Sequence, residues 1–357
     1  MLLKKIGLFC GSVHNNIKII VSMCFILSLA VFFVCMCCGC NDSVDGETES
    51  YDIACSDTES SNQYDSDKDV TYSDEDNSGK SSECEASSVI IKNDETETQA
   101  VMPDNVNTNI TDNDALKILC RIGNVANEYG VAVAYKYNNY YYRINGSVNY
   151  ASASTIKAVY CQYLLASGAD FNEEIVFDTD DVRSSTSGKL TDEHKGEVFT
   201  VGELVGYTLR YSDNMAYRLL FNKYGRQGFN AYVKELGIPG LAFGTDHEFT
   251  QVTAAELSDG MWEILEYSSK DKILTDHLIN ADYKYQIASG TKYTVASKYG
   301  NQGGTKGYHD TAIVYAPEPY VLTIMSNLDV RNNPDANKPF ARITGLTDSL
   351  HKILCEA

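Results

Sequence analysis

The chain has 357 residues, 49 of them acidic and 29 basic, for a formal charge of −20, with 43% hydrophobic residues and 11 cysteines. The imbalance is local: residues 1–40 hold three basic and no acidic residues, residues 41–114 hold 21 acidic and three basic, and residues 115–357 hold 28 acidic and 23 basic. No basic face follows Lys18, which excludes nucleic acid as a partner, and the nearly balanced C-terminal part is long enough to bury a core.

From Ile19 to Cys40 there are 22 uncharged residues rich in Val, Ile, Leu and Phe, enough to cross a hydrocarbon layer of about 30 Å. Lys4, Lys5 and Lys18 precede this run and Asp42, Asp45, Glu47 and Glu49 follow it, so the basic-inside bias places the N-terminus in the cytoplasm and the rest outside. Gly39-Cys40 resembles the end of a bacterial lipoprotein signal, although Cys37 stands where such signals carry an aliphatic residue. Residues 1–40 are therefore expected to be a membrane anchor, either lipidated or an uncleaved helix. Residues 41–110 are expected to be an acidic disordered tether, since few large apolar residues interrupt the Ser, Asp, Glu, Thr and Asn. A coil of that length spans about 50 Å, and its like charges extend it. Asp65, Asp67 and Asp69 have the spacing that opens a calcium loop, but Val70 occupies the position that needs glycine.

Of the cysteines, only Cys120, Cys161 and Cys355 fall in the part expected to fold, too few for a disulfide framework. Cys161 reads as a buried apolar residue on a helix. A Cys120–Cys355 bridge between terminal helices is left open, because sequence does not fix Cβ geometry.

The folded part is expected over 111–357. A helix over 114–129 carries Leu116, Ile118, Leu119, Ile122 and Val125 and ends at Gly130. Two alternating runs, 131–137 and 140–144, flank Asn138-Asn139 and read as a hairpin. Helices follow at 155–167, 201–210, 213–224, 227–236 and 253–267, then strands at 293–298, 311–315 and 320–324, and a closing helix over 337–354. Strands at both ends of a helical insert imply one sheet built from distant parts of the chain, with a helical lobe at about 150–250 and a cleft between them.

Ser154-Thr155-Ile156-Lys157 puts a hydroxyl and an amine one turn apart at a helix start. Serine is a weak nucleophile without a base in reach, and lysine is a base only where burial or another cation keeps it neutral. The same S-x-x-K spacing recurs at Ser269, Ser289 and Ser349, so alone it says little. Only the first is followed by the chain's single Ser-Asp-Asn, Ser212-Asp213-Asn214, and then by Lys298-Tyr299-Gly300 at a strand end. Two lysines brought to one hydroxyl pair would depress each other's pKa.

The three elements in this order resemble those of the penicillin-recognising serine enzymes, most closely class A β-lactamases and their relatives. The resemblance covers about 115–357 and implies an α/β (α+β) fold: an antiparallel five-stranded sheet flanked by terminal helices, with an inserted helical lobe. It implies that Ser154 is acylated, that Lys157 activates it and that Ser212 relays a proton to the leaving nitrogen. Asn214 would hold the substrate amide and Lys157, while Lys298 would support Ser212 and attract a substrate carboxylate. The N–H groups of Ser154 and Asn301 would form the oxyanion hole. The implied activity is a serine hydrolase acting on β-lactams or D-alanyl cell-wall peptides. The alternatives are a carboxypeptidase or transpeptidase, or a sensor that binds penicillin without turnover.

Two departures stand out. Tyr299 replaces the short hydroxyl usual between the Lys and the Gly, which puts carboxylate recognition in doubt; Thr305-Lys306-Gly307 is a rival third element, in a Gly-rich turn. The Glu-x-x-Leu-Asn motif that supplies the water-activating carboxylate is absent between Ser212 and Lys298, where Asp246, His247 and Glu248 are the nearest substitutes; Glu248 either holds a water or, the reading favoured, is an ordinary carboxylate on an exposed loop. His309-Asp310 opens a strand and either lines the cleft or packs. No metal-ligand spacing or phosphate loop appears, so neither metal nor cofactor is expected, and the catalytic domain is expected to be monomeric.

Overall fold

The structure is a computed structural model and describes residues 101–178, 188–245, 248–302 and 307–356. The anchor, nearly all of the tether, Asp246, His247 and Thr305-Lys306 lie outside the described residues.

The strands in chain order are β1 Val106–Thr108, β2 Ala132–Tyr137, β3 Tyr140–Ile144, β4 Tyr150–Ala151, β5 Glu174–Val176, β6 Val198–Thr200, β7 Gln251–Val252, β8 Thr294–Gln302, β9 Gly307–Tyr315 and β10 Tyr320–Ser326. The helices are α1 Asn113–Tyr129, α2 Ile156–Ala166, α3 Val201–Arg210, α4 Asn214–Tyr224, α5 Gln227–Glu235, α6 Ala254–Tyr267, α7 Ile273–Ile279 and α8 Lys338–Glu356. The main sheet is antiparallel, in the order β1-β3-β2-β10-β9-β8, and β4–β7 and β5–β6 form two small pairs.

Among the described residues the sheet thus has six strands where five were expected. The sixth, β1, comes from residues assigned to the tether: Val106 pairs with Ile144 and Thr108 with Tyr142. Three residues on an outer edge are held by backbone bonds that any side chain permits, so composition does not reveal them. The helical lobe also runs past 250, through α6 and α7. The short α7 was not expected, having no side-chain cap at Lys272.

Local chemistry sets the remaining bounds. Asp112 caps α1 through Oδ1, which accepts from the N–H of Asp114 and of Ala115, both at 2.9 Å, and Gly130 ends the helix at φ 65°. Asn138 turns the β2–β3 hairpin at φ 50°. Period-two alternation then divides the sheet between two cores. Val133, Tyr135, Leu322, Ile324 and Val314 face α1 and α8. Ala132, Ala134, Val321, Met325, Ile313 and Ala296 face the helical lobe, where α6 lies on β2, β9 and β10. All seven residues of β10 are buried, as a central strand covered on both faces requires. Among the described residues Cys120, Cys161 and Cys355 form no disulfide with one another, so the terminal helices are not bridged through them.

Candidate active site

The site forms where the edge strand β8 meets the turn that opens α2. β4 leads into that turn and is tied to β7, with the Ser152 N–H donating to Thr250 O at 2.8 Å. Ala153 then takes φ 45°, a left-handed conformation costly for a residue with a Cβ. Ser154 follows in a 3-10 turn over Ala153–Thr155, half-buried, while Lys157, one turn on, is wholly buried. Opposite, Gly300 of β8 lies so close that a Cβ there would meet Ala153 Cβ and Thr155 Cγ2 at 3.1 Å and Ser154 N at 3.2 Å. Only glycine lets the strand backbone come this near the Ser154 N–H. Asn301, next along β8, is exposed.

Lys157 Nζ donates to Asn214 Oδ1 at 2.6 Å, to Ser212 O at 2.8 Å and, at 3.5 Å, to Asp213 O. Burial pushes its pKa well below the ordinary lysine value, and the charge of Lys298 pushes it the same way. A neutral amine has two N–H groups and one lone pair. In that form the two short bonds keep both protons, the 3.5 Å contact with Asp213 O carries none, and the lone pair is left one helical turn from Ser154.

Ser212 also has a left-handed backbone, φ 54°. This orients its two oxygens differently: its carbonyl accepts from Lys157, and its Oγ accepts from Lys298 Nζ at 2.9 Å. Asp213 holds the segment in place. Its Oδ1 accepts from Met215 N and Ala216 N at 2.9 Å, capping α4, and its Oδ2 accepts from Lys189 N at 2.6 Å and Leu190 N at 2.7 Å. Asn214, the first residue of α4, is thereby aimed at Lys157.

Lys298 is buried and also donates to the Tyr299 carbonyl at 3.1 Å. Burial lowers its pKa to about 7, against the pull of the Asp310 carboxylate. Burial raises Asp310 to about 6, while it accepts from Ser297 Oγ at 2.5 Å and Ile287 N at 3.1 Å.

The residues named from sequence thus divide. Lys157, Ser212, Asn214 and Lys298 form one hydrogen-bonded chain, with Ser154 and Gly300 in contact beside it. Tyr299 lies against Lys298, its ring centroid 4.9 Å from Nζ. Glu248 sits one residue layer away: its carboxylate accepts from Arg218 Nε at 2.9 Å and its carbonyl from the Tyr217 hydroxyl at 2.8 Å. The Tyr217 ring in turn lies 5.4 Å from Lys157 Nζ. His309 and Asp310 are wholly buried, so of the two readings left open for them packing is the one found.

Sequence reasoning passed over Tyr217, which floors the lysine, and the hydrogen bonds by which the packed His309 ring joins two strands. The His309 Nδ1 accepts from Ser326 N at 3.1 Å, which leaves Nε2 as the donor to Ala151 O at 3.1 Å and ties the sheet to the strand that delivers Ser154. Burial lowers the pKa of this ring to about 4, which keeps it neutral. No local signal identifies either role, because both partners are far away in sequence.

The chain is similar to a β-lactamase of Bacillus licheniformis, 27% identical over 220 residues that make up 55% of this chain and 70% of that protein. Among solved structures it resembles a β-lactamase from Francisella tularensis, with TM-score 0.55 and 18% identity over 65% of this chain and 98% of that one. It also resembles an acyl-enzyme complex of a PBP-A mutant with penicillin-G, with TM-score 0.58 and 14% identity over 66% of this chain and 96% of that one. At such identities the solved structures speak for the fold, which is that of class A β-lactamases and PBP-A. The model of the beta-lactamase enzyme family matches residues 115–347, well over half of the chain and all of the site, and the chain belongs to that family.

Proposed function

We propose that this is a membrane-tethered, extracytoplasmic serine hydrolase that forms an acyl-enzyme at Ser154 with β-lactams or the D-alanyl ends of cell-wall peptides. The observation that carries the reading is the buried Lys157, one helical turn from Ser154, with its Nζ bonded to Asn214 Oδ1 and Ser212 O and its pKa pushed well below the ordinary lysine value by burial. In acylation Nζ takes the hydroxyl proton as Ser154 Oγ bonds to the carbonyl carbon. The N–H groups of Ser154 and Asn301 receive the oxyanion. Ser212 Oγ gives its proton to the nitrogen as the C–N bond breaks, and is reprotonated from the lysine side. Asn214 holds Lys157 and the substrate amide. The anchor and tether read from the sequence would hold the domain outside the membrane.

Release of the acyl group needs a base for water. Glu248 is the candidate, and its ion pair with Arg218 weakens that role. This favours a second reading in which the acyl-enzyme persists and the protein works as a penicillin-binding sensor or a slow carboxypeptidase. Intact mass and chromogenic cephalosporin turnover of the full-length chain separate these cases. Sustained turnover supports a lactamase, and a lasting adduct absent from Ser154→Ala supports slow release. No adduct from any acyl donor would refute the acyl-enzyme reading.

A further inference from the structure

On β8, acylation uses Lys298 and the N–H of Asn301 but not the side chain of Tyr299 between them. A second phenol, Tyr283 from the loop between α7 and β8, packs on Tyr299 with ring centroids 4.8 Å apart and planes at 41°. Tyr283 is 46% exposed and Tyr285, two residues on, 64%; among the described residues these are the two aromatic side chains left largely open to solvent. Tyr299 meets the site through Lys298, its ring centroid 4.9 Å from the Nζ that donates to Ser212 Oγ.

Among the described residues, three lysines of this part of the fold already have partners. Lys298 Nζ donates to Ser212 Oγ and Tyr299 O, lies against the Tyr299 ring, and has the Asp310 carboxylate behind it to offset its charge. Lys284 donates to Ile279 O, and Lys189 pairs with Asp282 at 4.0 Å and lies 5.3 Å from the Tyr211 ring. A carboxylate brought here would shed water against two rings whose faces are electron-rich, and Lys298, the described ammonium that lies against Tyr299, is already bonded to Ser212 Oγ and Tyr299 O. An uncharged flat or apolar group would instead stack.

We propose that Tyr299 and Tyr283 form the specificity wall of the site, admitting acyl donors that lay an uncharged apolar group along the β8 edge and disfavouring donors that bring a carboxylate there. This rests on the acyl-enzyme reading of Ser154.

Benzylpenicillin and its methyl ester differ at that carboxylate, and the rate at which each acylates the full-length chain can be read by intact mass. The ester is expected to react about tenfold faster than the acid, a difference set by which donor the site desolvates. Tyr299→Thr should bring the ratio towards one by speeding the acid, Tyr299→Phe should retain the preference, and Tyr283→Ala should slow the ester. A wild-type chain that prefers the acid, or a Tyr299→Thr change that alters both rates by the same factor, overturns the wall and leaves the acyl-enzyme intact. Failure of both donors to modify Ser154 overturns the acyl-enzyme reading and the wall with it.

Discussion

Lys157 shows how one side chain acquires a function from its partners. In water its amine would be an ammonium; in this site burial and Lys298 oppose the charge, and two carbonyl oxygens fit the two protons of the neutral form. Ser154 gains from the complementary arrangement, a half-buried hydroxyl whose own N–H is brought close to β8 by Gly300. That closeness is testable. Gly300→Ala would place a methyl 3.1 Å from Ala153 Cβ and Thr155 Cγ2, with the strand on one side and the strained turn on the other. Overpacking of this kind costs about 1–3 kcal/mol, read as a lower urea midpoint. Because the strand must move away from Ser154 N, acylation should fall more than stability alone explains, in a sample shown to be fully folded. An unchanged acylation rate would mean that this approach does not shape the site.

At the scale of elements, the site depends on a helix start rather than on a loop. Asp213 receives four N–H groups, two from the first turn of α4 and two from the chain at Lys189 and Leu190, and so fixes where Ser212 and Asn214 meet the lysines. Asp213→Ala leaves those donors, three of them buried, unpaired. It should cost about 2–4 kcal/mol by denaturant titration, beyond an ordinary cap, because the lost bonds are charge-assisted. Acylation should drop as well, since Ser212 and Asn214, the two close acceptors of Lys157, lose their anchor. A loss below about 1 kcal/mol would mean that water replaces the carboxylate without cost. The same segment shows what the sequence reveals. The order of Ser154-x-x-Lys157, Ser212-Asp213-Asn214 and Lys298-x-Gly300 is legible because each motif is local and its reacting groups are titratable or nucleophilic. The long helices are legible from their apolar period and caps. The sixth strand is not, because its bonds are backbone bonds to β3. Nor are the buried His309 and Asp310, which follow a glycine-rich turn and look like strand-end polar residues until β10 and β4 cover them. The ion pair of Glu248 joins residues 30 apart in sequence and is likewise a product of the fold.

At the scale of the molecule, the sheet separates two kinds of interior. On the side of α1 and α8 it is a core of Val, Ile, Leu and hydrogen-bonded tyrosines, such as Tyr142 with Thr347 and Tyr320 with Asp348. On the lobe side it encloses two amines that folding strips of water. These interiors give the stability a pH dependence of opposite sign in two ranges. Lys298 titrates at about 7 in the folded chain against 10.5 for an ordinary lysine, and Lys157 is displaced in the same direction, both through burial first. Between these values the unfolded chain binds protons that the folded chain does not, so stability rises as pH climbs from about 7 towards 10. The buried phenols act oppositely. Tyr299 and Tyr308 titrate at about 12 against 10.0 for an ordinary tyrosine, so above 10 the unfolded chain loses protons that the folded one keeps, and stability falls. The urea midpoint should therefore climb from pH 7 to a maximum between about 9 and 10 and then decline. Lys298→Met should flatten the climb, since it removes one of the two displaced amines, and should leave the decline in place. A midpoint that falls steadily from pH 7, or a climb indifferent to Lys298→Met, would show that the amines remain hydrated and charged in the folded protein, and Lys157 would then have no lone pair to offer Ser154.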